Sequence, residues 1–237
     1  MESWHTVILL TLMAGMAMPL GGWLSGVGRL GPAWLDSELR HGIVAFGGGA
    51  LLSAVALVLV PEGSAELEMP IAVGCLLAGG LGFMGLDVWL QRSGTQASQL
   101  AAMLADFVPE ALALGAAFAL SGEGGVLLAA LMALQNLPEG FSAIQELGRS
   151  TSYSRYRLLL TFTAMALLGP VAGLSGLFWL SHYPQLVSGI MLFAAGGILY
   201  SIFQDLAPEA RLDQHWAPPL GAVLGFALGL GGDMLIS

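Results

Sequence analysis

The chain has 237 residues, of which 56% are hydrophobic and 10% charged. A soluble domain carries about 25% charged residues, so a water-exposed globular fold is excluded. Seven basic residues against 16 acidic ones leave no basic patch for nucleic acid, and the lone Cys75 allows neither an intrachain disulfide nor a CxxC zinc site.

Apolar stretches long enough to cross a bilayer recur along the chain. They predict eight helices, over 6–28, 41–63, 70–91, 98–121, 124–148, 156–181, 185–210 and 217–236. The first stretch follows Met1–His5, which holds no Lys or Arg. It therefore lacks the charged start of a cleaved signal peptide and is expected to stay as a helix. Connections are short, so 1–237 reads as a single transmembrane domain.

All seven basic residues are arginines: Arg29, Arg40, Arg92, Arg149, Arg155, Arg157 and Arg211. Each falls at an odd-numbered connection. By the positive-inside rule those connections are cytoplasmic and both termini lie outside. The expected location is a plasma membrane of the bacterial inner-membrane type.

Helices 2 and 7 end alike, in Ala56-Leu-Val-Leu-Val-Pro-Glu62 and Ile202-Phe-Gln-Asp-Leu-Ala-Pro-Glu209. Helices 3 and 8 share a looser pattern that ends at Asp87 and Asp233. Because helices 2 and 7 run in opposite directions, helices 1–3 and 6–8 are expected to be inverted repeats around helices 4 and 5. That 3+2+3 order is a transporter pattern.

Helices 4 and 5 carry the chemistry. Helix 4 holds Asp106-Phe-Val-Pro109-Glu110, and helix 5 holds Gln135-Asn-Leu-Pro138-Glu139. Residues four apart share a helix face, about 6 Å apart along the axis. Each glutamate falls near the middle of its span, where a carboxylate costs about 2.5–3.5 kcal/mol. Pro109 and Pro138 leave the carbonyls of Ala105 and Leu134 without their helical partners. Facing one another, the two helices would gather three carboxylates, two amides and two spare carbonyls. Three negative charges in hydrocarbon call for a divalent cation, protons or both. A proline-kinked pair with protonated or hydrogen-bonded glutamates is the plainer reading of one such motif; two matched motifs on neighbouring helices favour a metal site.

The chain resembles the ZIP (Zrt/Irt-like) family of divalent-metal transporters. The resemblance rests on Gln135-Asn136-Leu137-Pro138-Glu139-Gly140 and, more loosely, on Asp106 to Ala111. Gly47-Gly-Gly-Ala50 with Pro61-Glu62, and Phe193 to Tyr200 with Pro208-Glu209, extend it over nearly the whole chain. It implies the eight-helix arrangement and uptake toward the cytoplasm. Asp106 stands where that family has histidine, Phe107 where it has asparagine, and Gly169 where many members have a glutamate before proline. One metal position is therefore expected, formed by Asp106, Glu110, Gln135 and Glu139, with Asn136 auxiliary.

An oxygen-only ligand set favours harder ions such as Mn²⁺, Fe²⁺ or Mg²⁺, with Zn²⁺ and Cd²⁺ also admissible as substrates. Glu62, Gln204, Asp205 and Glu209 are candidates for an entry or exit path. His5, His41, His182 and His215 read as residues near the membrane surfaces, and Glu66 and Glu68 as part of an acidic outer loop. No prosthetic group or catalytic residue is expected. The partners are the lipid bilayer, the divalent ion and, as an open option, a second copy in a homodimer. The alternative is a cation channel or a proton-coupled carrier of another solute. An aspartyl protease is disfavoured because Asp87 is expected near the cytoplasmic end of helix 3 and Asp233 near the outer end of helix 8, so the two cannot share a water.

Overall fold

The computed structural model describes residues 3–26, 33–93, 97–120, 123–212 and 216–236. Arg29 and His215, together with the side chains of Asp106, Glu146 and Arg149, lie outside the described residues. Among the described residues there is no strand.

Helix α1 covers Ser3–Leu24, and its 22 residues rise about 33 Å, enough for a hydrocarbon core of about 30 Å. Helix α2 covers Ala33–Ala54 and continues through a wider π-helical turn, Val55–Leu59, into Val60–Ser64. It starts at Ala33 rather than at His41, so the polar segment before its apolar run is already helical. Helix α3 is Met69–Ser93, α4 is Ala97–Leu120 and α5 is Glu123–Ser150. Helix α6 is Arg155–Ala166 followed by Leu168–Phe178. Helix α7 is Pro184–Ser201, continued by a π turn, Ile202–Leu206, and by Ala207–Glu209; α8 is Leu220–Ile236.

Among the described residues, six segments are long and apolar enough to cross a membrane: Trp4–Leu24, Ser37–Ser64, Met69–Arg92, Gly125–Gln145, Arg155–Phe178 and Pro184–Glu209. The chain is thus all-α and built like an integral membrane protein. The six do not include α4, which has 24 residues and carries Asp106 and Glu110, or α8, which has 17 and rises only about 26 Å.

The irregular turns have causes in the sequence. Pro61 offers no N–H, and its ring would strike the carbonyl four residues back. The helix widens just before it, and the Val60 N–H donates to the Val55 carbonyl, five residues back. The same turn precedes Pro208, where the Ala207 N–H donates to the Ile202 carbonyl. The interruption of α6 at Leu167 precedes Pro170 and has the same origin. Its far end is tied down: Arg155 donates to the carbonyls of Gly22 and Trp23, each at 2.7 Å, and so caps the C-terminal end of α1.

Packing follows a paired scheme. Helix α1 lies along α5, α4 along α6, α2 along α8 and α3 along α7. In each pair a glycine of either helix faces a backbone carbonyl of the other so closely that any Cβ would overlap it. Gly49 meets the carbonyl of Ala222, and Gly225 that of Phe46. Gly196 meets that of Leu76, and Gly79 that of Phe193. Gly21 meets that of Leu137 and Gly140 that of Met18, while Gly176 meets that of Leu112 and Gly115 that of Gly173. Such close crossings supply the dispersion contact that holds helices together in lipid, where burial from water contributes little.

Candidate metal centre

The centre of the molecule is the line where α4 meets α5. Glu110 is 0% exposed, Asn136 1% and Gln135 3%. A charged or amide side chain at that depth needs partners, because an unpaired buried polar group costs about 1–3 kcal/mol. Gln135 Nε2 donates to both carboxylate oxygens of Glu110, at 2.8 Å to Oε1 and 2.7 Å to Oε2. The amide oxygen, Oε1, is buried and has no partner among the described residues. One helical turn further along α5 stands partly buried Glu139.

The sequence placed Glu110, Gln135 and Glu139 together; the structure joins Gln135 to Glu110 and sets Glu139 one turn further along α5. Asn136 points elsewhere: its Nδ2 donates to the Ala14 carbonyl of α1 at 2.9 Å and so ties α5 to α1. Successive residues on a helix lie about 100° apart, so Gln135 on the α4 side leaves Asn136 on the α1 side. Asp106 lies one turn before Glu110 in α4, with its side chain outside the described residues. Among the described residues, no group of three or more His, Cys, Asp or Glu side chains comes together.

The path candidates lie apart from this buried cluster. Glu62 is partly buried beyond the π turn of α2, while Gln204, Asp205 and Glu209 are exposed along the last turns of α7. Two polar features were not among the sequence candidates. Ser142 of α5 has a buried Oγ with no partner among the described residues. Asp87 of α3 accepts from the Tyr200 hydroxyl of α7 at 2.9 Å and from Gln91 Nε2 at 3.0 Å. The Ser142 signal was present in the sequence, since Gln135, Glu139 and Ser142 follow the spacing of one helix face.

Chemically, Glu110, Gln135 and Glu139 offer two carboxylates and one unpaired amide oxygen beside a core of aliphatic residues, Met and Phe. Among the described residues the cluster offers chiefly oxygen acceptors beside the Gln135 amide, a set that suits a hard cation or a proton. No protein-family model matches the chain, and no curated protein matches it.

Proposed function

We propose that the chain is a divalent-cation carrier of the kind its motifs resemble, a ZIP-like transporter. In this reading it moves Mn²⁺, Fe²⁺, Zn²⁺ or a related ion toward the arginine-rich, cytoplasmic side. The observation that carries the reading is the buried Glu110 carboxylate, gripped at both oxygens by Gln135, with Glu139 one helical turn further along α5. A protein does not place two acids in a lipid-embedded core for packing alone; such groups mark ion and proton pathways. The Gln135 amide donates to the carboxylate that a cation would otherwise balance. With an ion present, Glu110, Glu139 and the Gln135 amide oxygen supply the ligands, with Asp106 one turn away on α4.

Eight spans in a 3+2+3 order, the arrangement expected from the sequence, would suit alternating access. The matching π turns before Pro61 and Pro208, and the reciprocal glycine crossings, fit inverted repeats of α1–α3 and α6–α8. The site would then face either side in turn as one group of helices moves against the other.

The test is saturable uptake of a panel of divalent ions by purified protein in liposomes. Mn²⁺ uptake that saturates, and that an equal concentration of Zn²⁺ does not abolish, is the expected result. No metal-dependent flux from correctly inserted protein would end the reading. A proton-coupled carrier of another solute is the second reading, since two acids suffice to hold a proton and no third is gathered among the described residues. Proton flux without any divalent ion would favour it.

A further inference from the structure

Gln135 Oε1 and Ser142 Oγ are the buried side-chain polar atoms without a hydrogen-bond partner among the described residues. Both belong to α5. They stand two turns apart on one face, with Glu139 between them, so three oxygens line a stripe from the central pocket toward the arginine-rich end of the molecule. A serine in a helix commonly bonds the carbonyl four residues back, which here is Pro138; Ser142 does not, and its oxygen is left for another partner. Buried orphan oxygens cost free energy unless water or an ion visits them.

The opposite direction is different. The other way from Gln135 on α5, Leu131, 1% exposed, stands one turn off and Leu128, 0% exposed, two turns off, and on α4 Leu114, 0% exposed, stands one turn beyond Glu110. The glycine crossings explain why the two halves differ. Leu112 and Gly115 of α4 play toward α6 the part that Leu137 and Gly140 of α5 play toward α1. Counted from those anchors, Glu110 corresponds to Gln135, and Glu139 corresponds to Leu114. The Pro-Glu motifs are thus one helical turn out of step with the packing. The acid of α5 falls on the arginine-rich side of the pocket, and leucine occupies the corresponding place on the other side.

We infer that the Gln135–Glu139–Ser142 face of α5 is a hydrated passage by which a divalent cation moves between the pocket and the arginine-rich side, and that Leu114, Leu128 and Leu131 seal the other side. The inference rests on the carrier reading for the identity of the ion, but not for the existence of the passage. It assigns Ser142 a way-station role and takes the exit away from the exposed residues at the end of α7.

Two measurements on the full-length protein in vesicles test it. In a Cys75→Ser background, Ser142→Cys should react with a small charged methanethiosulfonate reagent added on the arginine-rich side, and Mn²⁺ should slow the reaction. Leu128→Cys in the same background should react at least tenfold more slowly from either side. Equal reactivity at the two positions, or an inert Ser142→Cys in folded protein, would overturn the passage. Because this readout needs no transport, it stands even if Mn²⁺ uptake by the unmodified chain proves absent, a result that would sink the carrier reading alone. For uptake, Ser142→Leu should lower the maximal Mn²⁺ rate more than tenfold, with equilibrium Mn²⁺ binding changed less than twofold. Ser142→Thr should restore most of the rate. A Ser142→Leu protein that carries Mn²⁺ at the original rate would also overturn the passage.

Discussion

Glu110 and Gln135 show how one side-chain pair constrains function. Both carboxylate oxygens are taken by one amide nitrogen, which accommodates the acid in the core and leaves the amide oxygen without a donor among the described residues. Replacing Gln135 with leucine leaves the carboxylate buried without its donors, which costs about 1–3 kcal/mol of stability. It also removes a ligand, so Mn²⁺ affinity should fall about 10–100-fold, as judged by calorimetry on folded variant protein. Glu139→Ala removes a ligand outright, and uptake should drop to the level of empty liposomes while the protein still inserts. Uptake should also weaken in acid, because the ion binds deprotonated carboxylates and must displace their protons. A KM for Mn²⁺ that rises as pH falls from about 8 to about 5 is the expected profile, and a flat profile would remove proton competition. Legibility at this scale was uneven. The i, i+4 spacing revealed Gln135 with Glu139, but the same motif invited Asn136 into the site, and the structure turns it to the Ala14 carbonyl. Neighbours in sequence face different helices, and only the packing says which helix stands where.

At the scale of elements, proline and glycine set the geometry. Pro61 and Pro208 each displace the helical hydrogen-bond pattern into one π turn, at matching places in α2 and α7. Gly49 and Gly196 each stand twelve residues before those prolines, and each sits against a carbonyl of a crossing helix. A side chain at such a crossing forces two backbones apart. Gly49→Leu should therefore destabilise the α2–α8 pair by at least about 1–3 kcal/mol, seen as a lower Tm in detergent. Gly74, which has nothing within 4 Å of a Cβ position, is the control and should accept alanine without loss. The repeated Pro-Glu endings of α2 and α7 were visible in the chain. The glycine-to-carbonyl exchange was not, because it joins residues of different helices and leaves no local pattern.

For the molecule as a whole, arginine distribution and helix packing bear on direction. The seven arginines fall at alternate connections, and the proposed orientation with both termini outside rests on the positive-inside rule applied to them. A reporter fused to either terminus should be inaccessible from the cytoplasm; a cytoplasmic reporter would reverse the proposed direction of transport. Composition and apolar run length by themselves determined the all-α membrane character, since about 20 apolar residues can satisfy their backbone in lipid only as a helix. Local spacing likewise determined which polar groups share a helix face, because helical periodicity is a property of the single strand of residues. Tertiary structure alone decided that Gln135 grips Glu110 and that Asn136 serves α1. Those outcomes depend on how far one helix slides along another, and that is set by where a glycine lets two backbones touch.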